Sequence, residues 1–214
     1  MLAHSIPTFP IWNHVLALTY GVNYCRANPC HGAPINFERI TIHGLWPNSR
    51  PSKNPLRPQD TLLQYCDLSS QLRARDLSTP ITIELKTNWP SITNYQIQGQ
   101  PLGVWNYEWR KHGICTWFNK EPYFRRALDI YYVVNPDLIL TSFPPNNTVK
   151  YTVTDIQNYH RQRNFPIPYL YCYGDLLLEI DYCLNDAADT IVNCDIYYSL
   201  GSNCGSNGFY IYTM

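Results

Sequence analysis

The chain of 214 residues has no apolar run long enough to cross a bilayer, which takes roughly 18 residues or more, so no transmembrane helix is expected. It has no CxxC pair and no histidine pair at ligand spacing, which argues against a zinc site. It has no net formal charge, and only 15% of its residues are charged, so bulk electrostatics predicts no affinity for nucleic acid. Any site for a polyanion must therefore be local. There is no internal repeat and no low-complexity linker. The opening, MLAHSIPTFPIW, lacks a basic region followed by a long apolar run, so no signal peptide is expected and the chain reads as a mature form or a truncated gene model.

What is present is aromatic, proline-rich and cysteine-rich: 18 Tyr, 17 Pro, 6 Trp and 8 Cys. The length suits one domain with a real core, here taken as residues 1–214. An even cysteine count without metal spacing implies four disulfides and an oxidising compartment. The sequon Asn146-Asn147-Thr148, just after Pro144-Pro145, agrees with secretion and makes Asn146 a candidate glycosylation site.

Periodicity predicts strands at HVLALTY (14–20) and ERITIHGLW (38–46), then an exposed, proline-rich and basic loop over 47–60. Helical patterns follow at 60–76, around 81–88, and at 104–113, 121–134 and 151–164. Pro122 lies near the start of the fourth, and Thr154 is an N-cap candidate for the last. DLLLEIDYCL and DTIVNCDIYY read as paired strands and FYIYT as a final one. The class is α+β, a single domain with a mostly antiparallel sheet.

Two stretches carry chemistry. In VWNYEWRKHGIC (104–115), a helix places Glu108, Lys111 and His112 on one face, because residues three and four apart are neighbours. Trp105, Trp109 and His112 share the spacing of a partly buried face, and Gly113 is a plausible stop. An ordinary Glu–Lys surface pair, with a charged histidine at a helix C-terminus, explains this window as well. In ITIHGLWPN (40–48), His43 ends a β-rich run, Gly44 permits an unusual backbone turn, and Trp46 offers a flat indole. An exposed indole beside a proton-transfer group suits a planar base; a core histidine with a packed Trp is the other reading. His160 near Arg161 and Arg163 reads as part of a solvated basic helix face rather than a phosphate contact. His4, His14 and His31 have no supporting context.

Together, ITIHGLWPN and EWRKHGIC resemble the two signature motifs of the T2 ribonuclease family, and sixty-nine residues separate His43 from His112, close to that family's spacing. NWPSI (88–92) and PYFRRALDIYY resemble further family segments, so the likeness covers nearly the whole chain. Within the family it looks most like plant S-ribonucleases, the pistil proteins of self-incompatibility. The resemblance implies endonucleolytic transesterification of single-stranded RNA through a 2′,3′-cyclic phosphate, without metal or other cofactor. It implies His112 as base, His43 as acid, Lys111 on the developing phosphoryl charge, Glu108 orienting the same group, and Trp46 stacking on a base. It also implies the disulfides Cys25–Cys30, Cys66–Cys115, Cys172–Cys204 and Cys183–Cys194. For an S-ribonuclease it adds a pollen recognition protein as partner, met by the loop around Asn48–Asp60. A monomer, secreted or vacuolar and without membrane contact, is expected.

Three positions depart from the pattern. Tyr107 stands where many members have a phosphate-contacting histidine, Val104 where a base-stacking aromatic is usual, and Thr19-Tyr20 where the first strand usually reads QW or TW. Tyr107 and Val104 are thus the candidate substrate-binding positions beside Trp46, and the departures bear on base preference. Zero net charge leans away from the usually basic S-ribonucleases, toward S-like or storage members. A weakly active storage or defence protein on the same fold is the alternative function, weighed against a complete catalytic set.

Overall fold

The computed structural model describes residues 11–30, 38–49, 62–67, 69–92, 102–194 and 202–214. Strands β1 (Asn13–Tyr20), β2 (Ile40–Asn48), β3 (Tyr169–Tyr173), β4 (Leu176–Leu184) and β5 (Ile191–Val192) form one antiparallel sheet ordered β2-β1-β4-β3, with β5 on β4. Helices α1 (Gly21–Ala27), α2 (Thr79–Asn88), α3 (Leu102–Lys111), α4 (Lys120–Val134), α5 (Asp137–Ser142) and α6 (Val153–Gln162) complete it. This is the expected α+β class. β1 is buried at every residue, as a strand with neighbours on both sides and packing on both faces must be.

Alternation along β1 and β4 divides the sheet. Leu16, Leu18, Tyr20, Ile180, Tyr182 and Leu184 enter the main core with Trp89, Trp105, Trp109, Phe124 and Leu128 from the helices. Val15, Ala17, Trp46, Tyr169 and the Cys183–Cys194 bridge make a smaller cluster on the opposite face. Helix α4 is pinned to β2 by two tyrosines: Tyr123 donates to the Leu45 carbonyl at 2.8 Å and Tyr131 to the Ile40 carbonyl at 2.9 Å. Asn135 ends α4 in the left-handed region at φ 48°, which an asparagine tolerates.

Several expectations change. No α-helix forms among the described residues of 60–76, only a 3₁₀ turn at Ala74–Asp76, because Leu62 bridges Asn48 and Leu63 donates to the Pro47 carbonyl. The N-cap of α6 is Thr152, whose side chain exchanges hydrogen bonds with Asp155 in a capping box, rather than Thr154. FYIYT makes isolated bridges instead of a strand: Phe209 pairs with Tyr151 and Tyr210 with Leu176. Its backbone is also claimed by the buried side chain of Asn23, which donates to Tyr210 O at 2.7 Å and accepts from Tyr212 N at 2.9 Å. Helices α1 and α5 and strand β3 carried no clear periodic signal. The four bridges are Cys25–Cys30, Cys66–Cys115, Cys172–Cys204 and Cys183–Cys194, the pairing the resemblance implied.

Candidate active site

β2 is irregular where the first motif begins. Leu18 pairs with Ile42 and Ala17 with Gly44, so His43 is the extra residue of a β-bulge. A bulge turns one side chain out of the regular alternation, and here that side chain is the imidazole. The ring is about one-third exposed (36%), and its Nδ1 hydrogen-bonds the carboxylate of Glu179 on β4. A carboxylate can only accept, so Nδ1 carries the proton of this bond. The His43 carbonyl accepts from Trp89 Nε1 at 2.9 Å, and the Trp89 carbonyl accepts from Trp105 Nε1 at 2.8 Å. A relay of indoles thus ties the bulge to α3.

Gly44 is not in a left-handed conformation; the positive-φ glycines among the described residues are Gly174 and Gly208. It is glycine for lack of a side chain. A Cβ there would lie 2.0 Å from Trp46 Nε1 and 2.5 Å from Glu108 Oε2, in the space where those atoms bond. Trp46 Nε1 donates to Glu108 Oε2 at 3.0 Å. Its indole is only 6% exposed, so the exposed stacking surface expected from the sequence is absent. It sits between the two imidazoles instead, with ring centroids 5.0 Å from His43 and 5.4 Å from His112.

Helix α3 buries Trp105 and Trp109, as their spacing predicted, and with them Glu108. His112 follows at its end, 1% exposed, and its Nδ1 lies 3.2 Å from the Leu63 carbonyl. That contact makes Nδ1 the donor and leaves Nε2 as the acceptor. The segment holding Leu63 is fixed to both motifs: Leu63 N donates to Pro47 O, Tyr65 N to Lys111 O at 2.8 Å, and Cys66 is bridged to Cys115. Gly113 lets the chain pass Trp109, whose Cε3 would be 2.5 Å from an added Cβ.

Electrostatics separates the two histidines. Burial alone would lower the His43 pKa, but the charge and hydrogen bond of Glu179, with Glu108 and Asp181 further off, raise it from 6.5 to about 9. For His112, burial and then the neighbouring Lys111 lower it to about 3, against the weaker pull of the Leu63 carbonyl. The helix C-terminus, expected to favour the charged ring, is outweighed. Burial pushes Glu108 up, partly offset by His43, the Trp46 hydrogen bond and Lys111. Among the described residues no carboxylate pairs with Lys111; its ammonium stands 5.2 Å from the centroid of the Tyr107 ring.

A cleft of about 240 Å³ opens beside His43 and Glu108, lined also by Thr19, Tyr24, Ile42, Trp89, Val104 and Tyr107. The structure therefore gathers His43, Trp46, Glu108, Lys111 and His112, with Val104 and Tyr107 at the rim. Thr19, one of the departures from the usual first strand, lines the same cleft.

His160 lies elsewhere. It is a buried ring bonded to the Ile156 carbonyl at 2.8 Å and the Tyr182 hydroxyl at 2.9 Å, so the solvated face predicted for it is a core contact. His14 is likewise buried. His4, His31 and the loop beyond Ser49 to Asp60 lie outside the described residues. The Asn146 amide donates to Pro144 O and to the Tyr151 hydroxyl, both at 3.2 Å, so a glycan there must share that nitrogen with the turn it caps. Among the described residues no group of three or more His, Cys, Asp or Glu is placed to hold a metal ion.

Residues 13–194 match the model of the Ribonuclease T2 family. The chain belongs to this family. Among curated relatives it is 31% identical to the intracellular ribonuclease LX of Solanum lycopersicum over 86% of this chain and 77% of that one. The crystal structure of RNase NT in complex with 5′-AMP is similar at 25% identity and a TM-score of 0.76, covering 95% of this chain and 99% of that chain. The fold is also that of the gametophytic self-incompatibility associated SF11-RNase of Nicotiana alata, at 23% identity and a TM-score of 0.72, covering 95% and 100%. What motif reading of this T2 ribonuclease missed is Glu179. The available signal was a carboxylate inside the apolar run LLLEIDYCL, since a charge in a buried strand needs a partner.

Proposed function

We propose that this T2-family chain cleaves single-stranded RNA by transesterification, with His112 as general base and His43 as general acid. The observation that carries the assignment is the opposite electrostatic bias of two rings flanking one indole. At neutral pH, His112 is neutral and its Nε2 carries the lone pair that accepts the 2′-hydroxyl proton. His43 is charged and can give a proton to the departing 5′-oxygen. The reverse assignment needs His43 neutral and His112 charged, a rare state across neutral pH. Lys111, free of carboxylate partners among the described residues, faces the developing charge on the phosphoryl oxygens. Glu108, whose carboxyl burial pushes above the ordinary range, orients the same group.

The sequence of events follows. The 2′-oxygen attacks phosphorus as its proton passes to His112, the phosphorus–5′-oxygen bond breaks as His43 protonates the leaving oxygen, and a 2′,3′-cyclic phosphate forms. Water then opens the ring with the two histidines in exchanged roles. The cleft with Val104, Tyr107 and Thr19 is the proposed seat of a base; the complex of RNase NT with 5′-AMP supports a nucleotide as the kind of ligand. Trp46, enclosed here, serves as a spacer between the imidazoles.

Four disulfides support a life in an oxidising compartment, either outside the cell or in the vacuole. Likeness to the SF11-RNase supports an S-ribonuclease role with a pollen partner; zero net charge and the higher identity to ribonuclease LX favour a role without one. The test is digestion of homopolymeric RNAs in chelator, with product ends identified by mass spectrometry. Cyclic phosphate ends are expected. Loss of all activity in chelator would sink the mechanism, and absence of turnover under any condition would favour a storage protein on this fold.

A further inference from the structure

Strand β4 is a buried run interrupted by two carboxylates, Glu179 and Asp181, which the two-residue period places on one face. Burying charge in a sheet weakens it unless the charge is engaged, so the pair calls for a use. Across the sheet, Glu179 stands opposite Thr19 on β1, whose hydroxyl lies 3.5 Å from Oε1, and Asp181 stands opposite Ala17. The β2 bulge brings His43 to Glu179 from the far side of β1. A second irregularity, between Tyr171 and Cys172 of β3, leaves Leu178 unpaired just before Glu179. The backbone thus departs from regular pairing on both sides of one contact, His43 to Glu179.

We propose that Glu179 is a positioning residue for His43: its buried carboxylate takes the Nδ1 hydrogen bond, which orients the ring so that Nε2 faces the cleft and holds it as the proton donor. The proposal rests on the reading of His43 as the acid. In the first step Nε2 loses its proton to the 5′-oxygen while Nδ1–H stays on Glu179. The neutral ring that remains is the tautomer needed to take a proton from water when the cyclic phosphate opens, which restores the charged ring. Asp181 is 2% exposed and its Oδ1 has no partner among the described residues. Burial and the nearby Glu179 push its carboxyl above the ordinary carboxylate range. The groups that face His43 are Glu179 and Asp181 from β4, Glu108 and His112 from α3 and its end, and Tyr24 from α1, at a ring distance of 6.4 Å. Glu179 alone among them bonds to the ring.

The test compares Glu179→Gln, Glu179→Asp and His43→Ala with the parent protein, by kcat and KM against pH on a dinucleotide and by NMR titration of the histidine side chains. Glutamine can still accept from Nδ1 but removes the charge. In Glu179→Gln the alkaline limb of the profile should move down by about one pH unit or more, with the acid limb fixed, because one unit of pKa is a tenfold change in proton affinity. At pH 8, kcat should fall about twofold for a shift of one unit and about tenfold for a shift of two, with KM little changed. Glu179→Asp, with the charge kept but drawn back, should fall between. A purely structural role would lower stability and leave the limb in place, and a limb unmoved in folded Glu179→Gln overturns the proposal. Should that variant not fold, the His43 titration in the parent decides: a midpoint at or below about 6.5 overturns it. Near-native turnover in His43→Ala would defeat the underlying assignment instead, so the two failures are distinct.

Discussion

The two imidazoles of this site are the same chemical group in opposite surroundings. His43 stands on a bulged strand among carboxylates; His112 stands at the end of a helix, buried, beside a lysine. A free histidine near pKa 6.5 is half-charged close to neutrality, and two such rings would often hold their protons in the wrong order. The structure removes that ambiguity by location. Glu179, with Glu108 and Asp181, raises one ring and burial with Lys111 lowers the other, so the arrangement of protons that the proposed mechanism needs is the ordinary one. The lesson is that the proposed catalytic pair is set as much by what lies behind each ring as by the motifs that contain it.

The strongest way to break the comparison is to remove either ring. His43→Ala and His112→Ala should each lower kcat by about 10²–10⁴-fold, the range general acid–base catalysis supplies, with circular dichroism unchanged. The double variant should be scarcely worse than the poorer single one, because in the proposed mechanism the two act in one step. A variant retaining near-native turnover would remove its histidine from the chemistry.

Next in size is the support of the His112 side. The Cys66–Cys115 bridge closes a separation of 49 residues and fixes the segment whose Leu63 carbonyl holds His112 Nδ1. Replacing both cysteines by alanine should cost about 4 kcal/mol in urea unfolding by the chain-entropy model. It should also lower activity more than an equal loss of stability at Cys25–Cys30. A cost under about 1 kcal/mol would mean that the backbone bonds of Leu63 and Tyr65 hold the segment alone.

How much of this arrangement could be read from sequence differs between the two sides. The His112 side was nearly complete: the spacing of Trp105, Trp109 and His112 gave the buried helix face, and Gly113 marked its end. A helix is a local structure, so its neighbours are fixed by short spacings. The His43 side was legible only as a strand. That Trp46 is enclosed rather than exposed follows from Glu108 and His112, sixty residues and more away. That His43 meets Glu179 follows from the β1–β4 pairing and a bulge that no periodicity announces. The same limit explains the helix expected over 60–76, where the apolar spacing serves contacts to β2. Strand partners come from distant sequence, and the periodic pattern of one strand does not name them.

The pH dependence sharpens the comparison without mutation. In the proposed mechanism the active form needs His112 neutral and His43 charged. His112 is neutral above its lowered pKa of about 3, and His43 is charged below its raised pKa of about 9. The profile of kcat/KM should therefore be a broad plateau, falling tenfold per unit only past an alkaline limb near pH 9 and an acid limb well below 6. Two unperturbed histidines would give a narrow bell centred near 6.5. Steady-state rates from pH 4 to 10 decide between the shapes. A narrow bell would mean that substrate-free proton affinities do not differ as the surroundings indicate.

The smallest effect expected lies at the rim, where the two sides meet the substrate. Tyr107 is 48% exposed, lines the cleft, and presents its ring to the Lys111 ammonium. It lies one step along α3 from Glu108, about 100° around the helix, so it borders the phosphate site without sharing its central face. A tyrosine here offers a hydroxyl and an aromatic face but no cation. A histidine would add positive charge at low pH, with Lys111 and Arg110 beside it opposing that charge. An added contact at the edge should strengthen substrate and transition state about equally, which appears in KM rather than kcat. Tyr107→His should therefore lower KM for RNA by about two- to fivefold below about pH 6, where the new ring is charged, and have little effect at pH 8. Kinetics on a dinucleotide at the two pH values provides the check. A large gain in kcat with KM unchanged would move residue 107 from the rim into the chemical step, and the division of labour between His43 and His112 would then need a third partner.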